Sequence, residues 1–197
     1  MARPRSAGFE PQRDQVLSAA AQLFASRGYT ASTMTELAAA CGVSKATLYH
    51  YVTDKHALLA QITRGHVARL EALVHGVRAQ QLEPQAQLQE LILRFMQVYA
   101  HAQNEHRVLT EDVKFLADVD RDAVLAGQRR VVAAFAEAIA ALRPDLLGLH
   151  TPLAMLLFGT INWTFTWLRE GGALTHATLA PLVVQLFLGG LPAVQPG

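Results

Sequence analysis

Apolar residues recur at helical spacing along almost the whole chain. In residues 11–27 they fall at Val16, Ala20, Leu23 and Phe24, which is the stripe of one helical face. Alternating strand patterns bounded by turns are not found in the sequence. The pattern therefore predicts an all-α fold of about nine helices.

Helix-start and helix-stop residues divide the chain further. Thr33 and Glu36 form a capping-box pattern, Ser44 precedes a short helix over 45–51, and Asp54 begins a long helix that ends near residue 81. Gly28 and Gly42 are the stop signals of the first two helices. Further helices are predicted over residues 85–101, 105–116, 122–142, 152–169 and 177–188.

The first three helices are short and are joined by a glycine-containing turn, as in a helix-turn-helix unit. We therefore predict a helix-turn-helix domain over residues 1–53, a connecting helix over 54–81, and a second helical domain over 82–197. Charge follows the same division. Residues 1–80 carry nine Lys/Arg against five Asp/Glu, whereas residues 81–197 carry eight against eleven. Different partners are expected for the two parts.

Composition argues against several function classes. The chain has 197 residues, of which 51% are hydrophobic, so it can bury a core without disulfides. Its only cysteine, Cys41, follows three alanines, and all five serines lie within the first 44 residues. Neither a nucleophile turn nor a glycine-rich phosphate loop is found. We predict no enzyme activity and no cofactor.

A membrane segment and a metal site are both disfavoured. Residues 146–168 lack Asp, Glu, Lys and Arg, but they include His150, Pro152 and Asn162, so a buried helix is the better interpretation. His101, Glu105 and His106 lie close in sequence but have no fourth ligand. We therefore expect a cytoplasmic protein without a metal, and an uncharged C-terminal tail that another helix or subunit covers.

One segment carries a specific resemblance. Residues 28–59 read GYTASTMTELAAACGVSKATLYHYVTDKHALL. The order of a Gly-aromatic turn, Leu-Ala, Gly-Val-Ser, Thr-Leu-Tyr and Asp-Lys resembles the DNA-binding domain of the tetracycline-repressor (TetR) family of bacterial regulators. The resemblance is close over residues 12–60 and is limited to the helical plan beyond them. It implies double-stranded DNA as a partner, with homodimers on a palindromic operator. It also implies that residues 82–197 form a ligand-binding and dimerisation domain.

A recognition helix that begins after Ser44 places Lys45, Ala46 and Thr47 in its first turn, the end that enters the major groove. Lys45 can donate to guanine, and the methyl groups of Ala46 and Thr47 can meet thymine. Ser44, which opens this helix, is also expected at the DNA. The remaining residues expected to touch DNA carry side-chain donors for phosphates: Thr33, Tyr49, His50 and Lys55.

Some of these roles stay open at the level of sequence. Tyr49, His50 and Tyr51 are also ordinary packing residues, and Arg3, Arg5 and Arg13 form either a DNA-binding arm or a solvated basic tail.

Two features depart from the family pattern. Thr35 replaces a longer polar or basic side chain, and the recognition helix carries a single formal charge, that of Lys45. A dimer that reads two half-sites would compensate for the modest affinity of each monomer.

The C-terminal region from Gly159 to Trp167 looks like that of TetR regulators of fatty-acid, sterol or aromatic-acid catabolism, many of which respond to acyl-CoA thioesters. An effector pocket of this kind needs apolar walls and a few polar anchors. Arg94, Arg129 and Arg130 are candidates to meet CoA phosphates. The candidate ligand-binding residues are Phe95, Met96, Tyr99, Phe115, Arg129, Met155, Phe158, Asn162, Trp163 and Thr166.

The sequence also permits a plainer interpretation of those residues, in which each packs in the core or faces solvent. We accordingly weigh two functions: a repressor released from its operator by a small apolar or acyl-CoA-type effector, and a DNA-binding dimer that needs no ligand. An enzyme is a remote third.

Overall fold

The structure is a computed structural model that describes residues 9–169 and 171–196. Within this described part the chain is helical and contains no strand, which confirms the predicted fold class. The chain divides into two compact units. One comprises the described residues through His66 together with Asn104–Val124, and the other comprises Val67–Gln103 and the described residues from Leu125 onward.

The described residues contain ten α-helices and two single-turn 3-10 helices, joined by turns and loops. The 3-10 helices are Val113–Phe115 and Leu191–Ala193. The α-helices are α1 (Phe9–Arg27), α2 (Met34–Ala40), α3 (Lys45–Tyr51), α4 (Lys55–Arg78), α5 (Pro84–His101), α6 (Gln103–Asp112), α7 (Asp118–Leu142), α8 (His150–Asn162), α9 (Thr164–Trp167) and α10 (His176–Gly190).

Local hydrogen bonds explain where the first helices begin. Thr33 accepts from the backbone N–H of Glu36, while the Glu36 carboxylate accepts from the Thr33 backbone N–H at 2.9 Å, so the predicted capping box is present. Ser44 accepts from the backbone of Thr47 at 3.0 Å, and Asp54 from that of Ala57 at 2.7 Å. These caps satisfy donors that the first turn leaves open.

Glycines allow the turns that end α1 and α2. Gly28 and Gly42 have φ angles of +86° and +65°, a left-handed conformation that other residues rarely adopt. Leu37 of α2 and Leu48 of α3 have no exposed surface. The short helices of the first unit are therefore held by packing as much as by caps.

The second unit has its own hydrophobic core, to which α5 contributes one apolar stripe. The buried positions of α5 recur every three or four residues from Leu88 to Tyr99. At the end of α7, Arg143 forms two hydrogen bonds with Asp145 and donates to the carbonyls of Leu191 and Val194. The C-terminal segment is thereby tied to this unit.

The structure corrects three helix boundaries. The helix predicted over residues 122–142 begins earlier, at Asp118. The helix predicted over residues 152–169 breaks at Trp163, because the Thr164 hydroxyl donates to the Ile161 carbonyl and the Thr166 hydroxyl to the Trp163 carbonyl, both at 2.7 Å. The helix predicted over 105–116 ends as α-helix at Asp112 and continues as a 3-10 turn.

One apolar stretch of the described residues, His176–Ala193, is long enough to span a membrane by composition alone. It has 18 residues and a mean hydropathy of 1.3, and 28% of it is buried. A single such helix is weak evidence for a membrane segment, since helices of subunit interfaces have the same composition.

Candidate nucleic-acid interface and effector region

The helix α3 presents a polar face to solvent. Lys45, Ala46, Tyr49 and His50 are exposed, whereas Leu48 on the opposite side is fully buried. Spacings of three and four residues place Lys45, Ala46, Tyr49 and His50 on neighbouring parts of one helix surface. This surface combines a cation, a methyl group and two aromatic donors, which are groups that suit base edges and phosphates.

Ser44 and Thr47 shape the first turn of α3. The Ser44 hydroxyl accepts from the Thr47 backbone N–H, and the two side-chain hydroxyls lie 2.8 Å apart. Both side chains therefore hold the turn that carries Lys45 and Ala46, and this places the Lys45 side chain at the N-terminal end of the helix.

Thr33 is engaged in a similar way at the start of α2. Its hydroxyl and backbone N–H both donate to Glu36, and these bonds, with the neighbouring Arg27 guanidinium, hold the pKa of the Glu36 carboxyl below its usual value. Arg27 pairs with Glu36 at 2.9 Å. The first turn of α2 is therefore a charge-balanced surface rather than an open cationic one.

Lys55 has internal partners that the sequence did not reveal. Its Nζ donates to the backbone carbonyls of Tyr29 and Ser32, both at 2.9 Å, and lies 4.4 Å from the centre of the Tyr29 ring. The ammonium thus holds the α1–α2 loop against the start of α4. No local sequence signal indicates these bonds, because the acceptors lie more than twenty residues away.

Tyr29 is the centre of an aromatic cluster in the first unit. Its hydroxyl lies 2.9 Å from His56 Nδ1, and its ring stacks on Phe115 with the centroids 5.4 Å apart. Burial, assisted by the charges of Asp54 and Asp112, raises the pKa of the Tyr29 hydroxyl. Phe115, predicted as a wall of the effector pocket, therefore lies in the first unit, beside the loop between α1 and α2.

The basic arm predicted at the N-terminus is described only in part. Arg3 and Arg5 lie outside the described residues, while Arg13 donates to Gln61 at 2.8 Å. Tyr51 donates to Gln12 at 2.7 Å, which ties α3 to α1.

His106, considered above as a metal ligand, is buried beside His66, with ring nitrogens 3.4 Å apart.

Five of the predicted effector residues do come together in the second unit. Phe95, Met96, Tyr99 and Phe158 are buried, and the Tyr99 hydroxyl donates to Asn162 at 2.8 Å. The sequence analysis missed a neighbour of this group, Phe135, whose ring lies 4.8 Å from the rings of both Phe95 and Phe158. The sequence did contain a pattern that indicates burial of Phe135. Apolar residues recur at helical spacing on α7, at Val131, Ala134, Phe135, Ala138 and Ile139.

This aromatic core is closed. Phe95, Met96 and Phe135 have no exposed surface, so no water-sized space adjoins them. Burial raises the pKa of Tyr99 far above its usual value, which keeps the hydroxyl protonated. A ligand enters this core only if side chains move apart.

The other predicted effector residues lie outside the aromatic core. Met155 is 54% exposed and Trp163 is 62% exposed, and Thr166 is also exposed. Arg129 faces solvent, while Arg130 pairs with Glu71 at 2.5 Å. The structure therefore does not join these side chains to Phe95 and its neighbours.

An apolar surface covers the outward sides of α8 and α10. Leu156 is 67% exposed, Leu186 is 74% exposed, and the two residues line a groove of 270 Å³ between these helices. Further exposed apolar residues on the same helices and on the nearby α9 are Met155, Trp163, Trp167 and Leu182. Patches of this kind mark interaction surfaces.

Comparison with known proteins gives consistent results over nearly the whole chain. Residues 16–62 match the family model described as bacterial regulatory proteins of the tetR family, and residues 81–191 match that of a tetracyclin repressor-like C-terminal domain. The transcriptional repressor KstR2 of Rhodococcus jostii is 26% identical over 94% of both chains.

Two solved structures extend the similarity to the fold. A TetR-family regulator from Bordetella parapertussis is 34% identical with a TM-score of 0.85, covering 94% of this chain and 98% of its own. AibR in complex with isovaleryl coenzyme A and operator DNA is 26% identical with a TM-score of 0.77, covering 89% of this chain and 97% of its own.

Proposed function

Since the chain belongs to the TetR family of bacterial regulators, we propose that it is a homodimeric repressor that leaves a palindromic operator when a small apolar or acyl-CoA-type effector binds. The family and the relatives are transcriptional regulators rather than enzymes. The observation that carries the proposal is the exposed face of α3, with Lys45 in a first turn capped by Ser44.

In this proposal α3 enters the major groove by its N-terminal turn. Lys45 donates to a guanine edge, and the methyl groups of Ala46 and Thr47 contact a thymine. Tyr49 and His50, further along the exposed face, donate to phosphates. Thr33, at the start of α2, is a further phosphate contact once its hydroxyl turns away from the Glu36 carboxylate. The protein acts in the cytoplasm, where its operator is.

The apolar surface of α8 and α10 supports the dimer. An exposed groove between two helices is covered when the same helices of a second copy pack against it around a two-fold axis. Two α3 helices then read half-sites about 34 to 36 Å apart, or a multiple of that distance. Avidity offsets the single formal charge of each recognition helix.

The effector class is supported by the relatives. AibR was solved with isovaleryl coenzyme A and operator DNA, and this chain covers 97% of AibR. For this chain, an effector that favours the released state by about 3 kcal/mol would weaken operator binding roughly 150-fold. We assign the transmission to a tilt of α4, which runs from Lys55 to Arg78 without a break.

A second candidate, a DNA-binding dimer without an effector, is favoured by one observation. The aromatic core around Phe95 and Phe135 has no exposed surface and so offers no preformed space. The two functions differ in a single property, the response of the DNA complex to small molecules.

Fluorescence anisotropy of the full chain on its own upstream DNA tests the proposal. Titrations at fixed salt are repeated with acyl-CoA thioesters, aryl-CoA thioesters and their free acids. Release by a thioester supports the repressor with a CoA-type effector. Specific binding that every compound leaves unchanged favours the ligand-independent dimer, and affinity equal to that for random DNA would overturn the assignment of α3.

The Lys45→Ala variant tests base reading by α3. Loss of a guanine contact costs about 1 to 3 kcal/mol at one position of each half-site and relaxes the preference there. The matched control is Arg121→Ala, which removes a half-buried cation of α7 that pairs with Asp118. Binding to a set of operators with single base changes is the measurement. Equal base preference in Lys45→Ala and wild type contradicts the assignment.

A further inference from the structure

The outer side of α5, opposite its buried stripe, borders an open groove. The groove has a volume of 740 Å³ and lies between α4 and α5 in the second unit. Arg69 and Leu73 line it from α4, while Leu93, Arg94 and His101 line it from α5. The volume is within the range of small-molecule sites, and the lining combines cations with an apolar floor.

A second groove follows the other flank of α5. It has a volume of 490 Å³ and runs toward the start of α10, where Leu174 and Ala180 provide apolar surface. Leu93, Gln97 and His101 line both grooves, so the two spaces adjoin each other along one face of α5. Together they form the outer groove of α5, with two cations, Arg69 and Arg94, at one end and apolar surface beside a single cation, Arg169, near α10.

Charge at the first end suits a polyanion. Arg94 Nε donates to Glu90 at 2.6 Å, and this leaves the terminal amino groups of the guanidinium for other acceptors. Arg69 is exposed on the facing helix. Two guanidinium groups against one carboxylate give this end a net positive charge, and guanidinium groups match phosphate oxygens in pairs.

We propose that this outer groove of α5 binds the effector as a coenzyme A thioester, with the phosphates at Arg69 and Arg94 and the acyl chain along Leu93 toward Leu174 and Ala180. The inference rests on the proposed function for its ligand class and adds the site. An open groove binds the thioester without the side-chain movement that the closed aromatic core requires. It keeps the predicted phosphate contact Arg94 and adds Arg69, since both line the groove and Arg130 does not.

Isothermal titration of the full chain with octanoyl-CoA, CoA and octanoate tests the charges. Arg69→Gln and Arg94→Gln should each weaken octanoyl-CoA binding about tenfold and leave octanoate binding unchanged. Glu90→Gln should have the opposite sign and tighten octanoyl-CoA binding several-fold, because a carboxylate leaves the groove. Arg78→Gln, on α4 outside the groove, is the matched control and should bind as wild type does.

The shared face of α5 is tested by a steric variant. Gln97 is exposed and lines both grooves, so Gln97→Trp should block the passage and weaken octanoyl-CoA binding more than CoA binding. Gln89→Trp makes the same change at an exposed position of α5 outside the grooves. Equal melting temperatures of the two variants show that a difference in binding is not a difference in folding.

These measurements distinguish a failure of the proposed binding site from a failure of the proposed function. If wild type binds octanoyl-CoA and releases operator DNA while both arginine variants behave as Arg78→Gln does, the site is overturned and the proposed function stands. If no thioester binds wild type, the effector class fails and the site with it. If inorganic pyrophosphate binds as tightly as octanoyl-CoA, the groove is a plain phosphate site and the thioester assignment is overturned.

Discussion

His176, the first residue of α10, is an imidazole with only 5% of its surface exposed. Its Nδ1 lies 3.5 Å from the side-chain nitrogen of Gln103. Burial disfavours the charged ring and lowers the pKa of His176 below its usual value of 6.5. The folded protein therefore takes up a proton here at lower pH than the unfolded chain does.

The lowered pKa of His176 makes the folded protein less stable as the pH falls. As pH falls through 6.5 the unfolded chain gains a proton that the folded chain does not, so stability falls until the lower folded pKa is reached. His176→Asn removes this contribution. Denaturant unfolding at about pH 7.5 and about pH 5.5 should show a smaller loss of unfolding free energy for the variant than for wild type. Parallel losses in the two proteins contradict the prediction.

Lys55 stabilises the first unit through hydrogen bonds to backbone carbonyls. Lys55→Met removes the donor of the bonds to the Tyr29 and Ser32 carbonyls, and it should lower stability by about 1 to 2 kcal/mol. Because the ammonium is engaged by these carbonyls, the salt dependence of operator binding should keep its slope. Chemical denaturation and anisotropy at several salt concentrations are the measurements. A slope reduced by about one, with stability unchanged, would show a phosphate contact instead.

At the scale of elements, α4 and α7 approach closely at Gly127. A Cβ added at Gly127 would collide with Val67 Cγ1, which lies on α4 in the same unit. Gly127→Ala should therefore destabilise the protein by about 1 to 3 kcal/mol. Gly76, on α4, has open space around it, so Gly76→Ala is the matched control and should stabilise by about 0.5 to 1 kcal/mol. Thermal unfolding of both variants is the measurement. Equal changes in stability for the two variants would contradict the close approach of α4 and α7 at Gly127.

Elements with local causes were predictable from the sequence. The caps at Thr33, Ser44 and Asp54 depend on residues three positions away, and α3 begins and ends as predicted. The break at Trp163 was missed because threonine hydroxyls there compete for backbone carbonyls, which apolar periodicity does not report.

Features with distant partners were not predictable. The bonds of Lys55, the stacking of Phe115 on Tyr29 and the ring contacts of Phe135 each depend on residues far apart in sequence. Five of the residues predicted to bind an effector lie together in the aromatic core, but the sequence did not distinguish buried residues from exposed ones such as Trp163. That distinction needs the path of the whole chain.

At the scale of the whole molecule, the apolar surface of α8 and α10 has a measurable consequence. Leu186→Arg places a charge in the groove between these helices and should shift the protein to monomers at micromolar concentration. Operator affinity should fall with it, because one α3 helix then binds without its partner. Leu147→Arg is the control, since Leu147 is 83% exposed outside that groove. Sedimentation that is identical for both variants and for wild type contradicts the interface.

The first compact unit is assembled from two separate stretches of the chain, one through His66 and the other Asn104–Val124. Its Tyr29–Phe115 stack and the Arg64–Asp120 ion pair both join one stretch to the other. A single genetic crossover after the helix-turn-helix segment would therefore carry away only part of a folding unit. In a chimeric regulator built from this protein, the first unit should therefore fold only when residues 104–124 are transferred together with the helix-turn-helix segment.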